Sequence, residues 1–216
     1  FKAPSLYQLY SPYGKKDLKA EQGKTFEAGF EQNLGALYVR LVGFQQDVQD
    51  GIVFQSIAVE PYGRYANVSK QKTSGIELEA RYAWKGFATE LGYTYLDGEM
   101  HNVINGKDST YSSLIRRPKH QLSLRLNQQL TKRWSASVYA QYVGERTDYY
   151  YDDATYQTQS VILPGYVWTE LQSTYALNKR WRVQALLKNV LNQMPTEIYG
   201  YSGQPRNVQL SLLGTF

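Results

Sequence analysis

Apolar and polar residues alternate one for one along about nine segments of this chain, the period of a strand with one oily and one wet face. From Gln121 to Leu130, Leu122, Leu124 and Leu126 share a face, while Gln121, Ser123, Arg125 and Asn127 share the other. The last segment repeats the pattern, with Val208, Leu210, Leu212 and Phe216 opposite Asn207, Gln209, Ser211 and Thr215. Ile76, Leu78, Ala80, Tyr82 and Trp84 stand against Glu77, Glu79 and Arg81. Trp134, Val138 and Tyr142 oppose Ser135, Ser137 and Gln141, and Trp181, Val183, Ala185 and Leu187 oppose Arg182, Gln184 and Lys188. Fainter segments start near Thr25, Gly35, Phe87 and Val167.

The connections between segments separate a barrel from a sandwich. Short polar turns at Asn33 to Gly35, Lys85 and Gly86, Thr131 to Arg133, and Asn178 to Arg180 suit hairpins. Between them come long connections, from about Asp50 to Ser74, Asp97 to Lys119, Gly144 to Gly165 and Asn192 to Arg206. Each far exceeds the usual length of roughly 4 to 6 residues. Strict alternation of short and long is the mark of an up-and-down barrel with unlike rims. The expected fold is therefore all-β, a transmembrane antiparallel barrel whose short turns are periplasmic and whose long loops are extracellular. Nine strands do not close such a barrel, so residues 1–216 are expected to be its C-terminal portion, with further strands upstream.

Composition agrees where it speaks. The 20 tyrosines, against 7 Phe and 2 Met, fit surfaces with one apolar and one wet side. Trp84, Phe87, Trp134 and Trp181 fall beside short turns, where an interfacial girdle belongs, and Phe44, Tyr82, Tyr93, Tyr95 and Tyr142 are expected on the lipid side or the opposite girdle. Mean hydropathy is −0.53, which excludes a helical membrane protein while leaving barrel strands open. There are no cysteines, so disulfides, thiolate metal sites and cysteine nucleophiles are excluded. The net charge of +5 is scattered, without the basic run that nucleic acid requires. Phe1 follows no Met or leader, and the chain is expected to be a piece of a longer precursor.

The opening Phe1-Lys2-Ala3-Pro4, with Asp17-Leu18-Lys19-Ala20-Glu21, resembles a paired signature of the TonB-dependent outer-membrane receptors, and the terminal Phe216 is similar to their assembly signal. Lys15-Lys16 and Ala20 depart from the second element. The resemblance implies a plugged barrel of about 22 strands in the bacterial outer membrane, driven through TonB by way of an N-terminal part outside this chain. Gln8-Leu9-Tyr10, Leu114-Ile115-Arg116-Arg117 with Lys119, Tyr142-Val143-Gly144-Glu145-Arg146 and Tyr199-Gly200-Tyr201 are similar to runs in the cobalamin-importing members. By that resemblance Arg116, Arg146, Tyr151 and Tyr201 contact cobalamin as transported cargo, and no resident cofactor is implied. Calcium use and a capping surface lipoprotein stay open. A ferric-siderophore receptor is the rival of identical architecture, and a passive porin or adhesin barrel and a soluble β-rich enzyme are the remaining alternatives.

Recognition, not catalysis, is the expected chemistry: Tyr149, Tyr150 and Tyr151 supply ring faces and the arginines supply donors. Arg116 and Arg117 equally suit lipid phosphates. Glu77 and Glu79 are expected to pair with Arg81 or a plug rather than act as acid and base. His101 and His120, the two histidines, have no partner at metal-ligand spacing, and Gly200 and Gly203 form no phosphate cradle. The resemblance also disfavours haem import, because haem-importing members place a histidine between the two opening motifs and Phe1 to Glu21 has none, and Asn105-Gly106 reads as a plain loop turn.

Overall fold

Lys85 and Gly86 take φ of 44° and 82°, the left-handed pair that a two-residue hairpin needs. They reverse β3 (Gly63–Trp84) into β4 (Phe87–Ile104), and a turn after β1 (Gln22–Leu34) does the same for β2 (Leu37–Ser56). The fold is that of a computed structural model describing residues 1–57, 59–104, 107–111 and 114–215. Phe216 and the Asn105-Gly106 turn, both singled out above, lie outside the described residues.

Further on come β5 (Lys107–Tyr111), β6 (His120–Gln129), β7 (Trp134–Val143), β8 (Arg146–Asp152) and β9 (Gln157–Leu163). The chain ends with β10 (Tyr166–Ala176), β11 (Trp181–Lys188) and β12 (Asn207–Gly214). One path of nine strands runs β1-β2-β3-β4-β6-β7-β10-β11-β12, with β5 added to β4, while β8 and β9 form a hairpin sheet of their own. The chain falls into two compact units, one of Phe1–Ala28, Gly43–Gly75 and Leu96–Leu114, the other of Gly29–Val42, Ile76–Tyr95 and everything from Ile115 on.

The expectation for the first two long connections needs correction. The stretches from Asp50 to Ser74 and Asp97 to Lys119 are largely strand, because β2, β3 and β4 run on for 20, 22 and 18 residues and β4 folds back on β5. That is about twice the 9 to 11 residues that a hydrocarbon layer requires. Polar side chains such as Lys70, Lys72 and Glu99 in these extensions removed the alternation on which the sequence reading relied.

In the first unit a short helix α1 (Leu6–Tyr10) is closed by a capping box, with Gln8 N donating to Ser5 Oγ at 3.2 Å and Ser5 N to Gln8 Oε1 at 2.8 Å. Lys2 and Glu21 join the two opening motifs. Their backbones exchange bonds of 2.9 and 3.0 Å, and Lys2 Nζ lies 3.3 Å from Glu21 Oε1.

In the second unit the register lays out two unlike faces. Thr89, Leu126, Val138, Leu171, Leu187 and Val208 stand in one row across six strands. Leu91, Leu124 and Ala140 form the next such row, and Trp134, Tyr175, Val183 and Leu212 another toward the short turns. On this face Val208 is 68% and Leu210 74% exposed, and Leu122, Val138, Leu171 and Val183 are also exposed. Among the described residues the buried apolar set is only Val42, Ala66, Leu114, Val143 and Leu163. A water-soluble domain hides its leucines; here they form an exposed apolar band of the kind that faces lipid. On the opposite face, Glu90, Arg125, Tyr139, Glu170, Lys188 and Asn207 make a row of alternating charge. Arg125 Nε approaches Glu90 Oε2 at 4.0 Å and its guanidinium lies 4.9 Å from the Tyr139 ring centre. The expected pairing of Glu79 with Arg81 is present as an ion pair.

Placing a charge in the apolar row separates lipid from water as its surroundings. Leu124→Arg in the intact protein in lipid vesicles is expected to cost about 2 to 4 kcal/mol, against about 0.5 kcal/mol or less for Asn127→Arg on the other face. Denaturant unfolding of both variants measures the difference.

Candidate functional site

The polar parity of β10 carries an exception. Val167, Leu171 and Tyr175 keep to the apolar face, yet Tyr166 and Trp168 stand with Glu170, Gln172 and Thr174 on the wet one. Register places Trp168 directly opposite Gln141 of β7. Trp168 Nε1 donates to Glu170 Oε1 at 2.9 Å, which fixes the indole against the strand. Two large rings on a hydrated face make a contact surface without a hydrophobic core to account for them.

The segment from Asn192 to Arg206 folds against these rings. One amide governs its shape: Asn189, fully buried and at φ 52°, donates from Nδ2 to Gln193 O at 2.5 Å and Gln204 O at 2.8 Å, and its Oδ1 accepts from Gln193 N at 3.1 Å. Only an Asn combines donors, an acceptor and tolerance of the left-handed backbone in so small a group. Gly203 N donates to Pro195 O at 2.8 Å, and a Cβ at Gly203 would meet that oxygen at 2.7 Å, so the crossing needs glycine. The segment docks through Gln193 Oε1, which accepts from Val167 N at 3.0 Å, and through Glu197 Oε1, which accepts from the Tyr166 hydroxyl at 3.0 Å. A cleft of about 490 Å³ remains between strand and segment, lined by Gln141, Tyr166, Trp168, Glu197, Tyr201 and Gln204 among others.

Behind the cleft wall stands the hairpin β8–β9. Arg146, Asp148 and Tyr150 alternate along one face of β8. Arg146 is 6% exposed, gives a 2.7 Å bond from Nη2 to Thr196 O, and lies 5.3 Å from the Tyr166 ring centre. Asp148 is fully buried; its Oδ1 accepts from Arg116 Nε at 2.6 Å and from Tyr149 N at 2.8 Å, and its Oδ2 from Tyr199 N at 2.8 Å. Tyr150 stacks on Tyr199 with ring centres 4.1 Å apart. Burial pushes the Asp148 carboxyl upward, but the Tyr199 N–H, the Arg116 guanidinium and the Tyr149 N–H outweigh it and hold the group below its ordinary value.

Each sequence-derived site residue has a definite place. Tyr201 is 72% exposed on the cleft, and Tyr151 is 59% exposed on the face of β8 opposite Asp148. Arg146 and Arg116 are engaged by the apical segments themselves, and Arg116 at φ 59° also donates its backbone N–H to Thr147 O at 2.8 Å. The structure thus brings Arg116, Arg146 and Tyr201 into one apical cluster. Sequence reasoning missed Asp148, Tyr166, Trp168, Asn189 and Glu197. The signal for Trp168 was present, an indole at polar parity; for Asp148 it was a lone carboxylate two residues from Arg146. Among the described residues no group of three or more His, Cys, Asp or Glu is arranged to hold a metal.

A sheet with one exposed apolar face, one charged face and an aromatic cleft at the long-loop end defines a segment of a transmembrane β-barrel wall. The profile described as TonB dependent receptor-like, beta-barrel matches residues 1–190, and the chain belongs to that family, whose members are transporters of the Gram-negative outer membrane. Among similar solved structures, the pyoverdine outer membrane receptor FpvA from Pseudomonas aeruginosa PAO1 superposes with TM-score 0.76 at 20% identity, over 92% of this chain and 30% of that one. The ferric-catecholate import receptor Fiu from K12 E. coli gives TM-score 0.73 at 21% identity, over 100% and 30%. The FrpB iron transporter from Neisseria meningitidis gives 0.73 at 17%, over 91% and 31%. This chain spans about three tenths of the length of these receptors. The match fits the C-terminal portion of the barrel.

The sign of the Asp148 shift sets a pH dependence. A carboxyl lowered in the folded state contributes stability above its ordinary value of 3.8 and loses it as pH falls through the lower folded value. Docking of β8–β9 on the 192–206 segment is expected to hold across neutral pH and down past 3.8, then fail in stronger acid. Peptic cleavage within these segments, followed from pH 5 to 2, reports it, and Asp148→Asn removes the transition.

Proposed function

We propose that this chain forms the C-terminal barrel wall of an active outer-membrane importer that captures a large, partly polar metal chelate at its extracellular mouth, cobalamin or a related corrinoid being the preferred cargo. The carrying observation is the aromatic cleft on the wet face. Its volume of about 490 Å³ is of the size that takes up a substantial part of such a ligand. Tyr166, Trp168 and Tyr201 offer ring faces to a flat macrocycle, and Gln141, Gln204 and Glu197 offer polar partners to its side arms. Tyr201 and Tyr151 make direct contact in this reading, and Arg146 and Arg116 act from behind by shaping the loops. The corrinoid choice is supported by the runs Leu114 to Arg117, Tyr142 to Arg146 and Tyr199 to Tyr201. Energy comes through TonB, by way of the part of the receptor that precedes this chain, and outer-membrane lipids surround the apolar face.

A ferric siderophore is the second reading, favoured by the pyoverdine and ferric-catecholate receptors whose barrels superpose on this one. The intact receptor separates the two when titrated with cyanocobalamin and with a panel of ferric siderophores. Cyanocobalamin is expected to bind, and Trp168→Ala and Tyr201→Ala are each expected to weaken it roughly tenfold. Binding of a siderophore alone would replace the cargo, and uptake that continues without TonB would sink active import.

A further inference from the structure

Three donors reach the buried Asp148 carboxylate, and they come from three separate segments. Tyr149 N belongs to the β8–β9 hairpin, Arg116 Nε to the turn before β6, and Tyr199 N to the 192–206 segment. Among the described residues the hairpin shares no ladder with the nine-strand path. A two-stranded ribbon alone is marginally stable in water, so its position must come from such ties. From the structure we infer that Asp148 is a positioning residue coupling these three apical segments into one cover, so that the cleft wall moves only together with the hairpin and the Arg116 turn.

Neighbouring contacts give the cover its rigidity. Arg146 and Tyr150, on the same face of β8 as Asp148, hold Thr196 O and the Tyr199 ring, so three alternate residues of β8 make three contacts with Thr196 and Tyr199 of the segment. On the other side, Arg116 N donates to Thr147 O, which fastens the turn to the β8 backbone beside the same carboxylate. Asp148 itself does not line the cleft; it acts through Tyr199, two residues from Tyr201. Only an ionised carboxylate can accept all three bonds, since the Asn isostere turns one oxygen into a donor facing donors. The use of this cover in cargo retention rests on the importer reading above, whereas the coupling does not.

Hydrogen exchange on the full-length receptor in lipid nanodiscs tests the coupling without any ligand. Asp148→Asn is expected to speed exchange about 10- to 100-fold, together, in residues 114–119, 146–163 and 193–206, the loss expected for charge-assisted bonds. Protection in β6, β7, β10 and β11 is expected to stay unchanged. Arg116→Gln, which leaves the Tyr199 bond in place, is expected to give the same three-segment pattern at smaller amplitude. Acceleration confined to one segment, no acceleration, or loss of protection through the wall strands as well would each overturn the proposal. A failure of cyanocobalamin to bind the unaltered receptor bears on the cargo and leaves this result standing.

Discussion

Hydrocarbon offers no partner to a backbone N–H or C=O, and an unpaired one costs several kcal/mol there. Every other feature of the wall follows from meeting that demand strand by strand. The registers from β4 to β12 run without interruption over the apolar rows, with β6, β7, β10 and β11 each paired to a neighbour on both sides. Pairing fixes the pleat, and the pleat then decides that Leu124, Leu126, Val138 and Leu171 share one side. A slip of one residue anywhere would put Arg125 and Glu170 into lipid, so the alternation specifies register as firmly as a buried core would.

That same alternation made the wall legible before any coordinates. Nine segments, the turns at Lys85-Gly86 and Thr131 to Arg133, and the division of Leu122, Leu124 and Leu126 from Ser123, Arg125 and Asn127 all correspond to what the structure shows. The rule stops working where the hydrocarbon stops. In the extensions of β2, β3 and β4 polar residues take either parity, and strands there read as loops. The apical site was harder still. Its members are separated by tens of residues, Arg116 from Asp148 by 32 and Asp148 from Tyr199 by 51, and no local period links them.

The mouth obeys a different economy from the wall. Bonds to side chains replace the ladder: Asn189 pinches the ends of one segment, Gln193 hooks it to Val167, and Asp148 gathers the rest. Such joints are specific to single atoms, which lets loops differ freely in length and sequence while the strands beneath stay constant. It is a reason for relatives at about 20% identity to share this scaffold so closely.

The row Glu90, Arg125, Tyr139, Glu170, Lys188 and Asn207 carries two anions and two cations at alternating places. From a distance their fields cancel, so this strip of wall neither draws in nor repels a solute by its sign. Close up, it is a series of exchangeable hydrogen-bonding stations that water or a polar surface can occupy in turn. In the importer reading proposed above, discrimination between solutes falls to Tyr166, Trp168 and Tyr201, and the strip offers polar contacts alone.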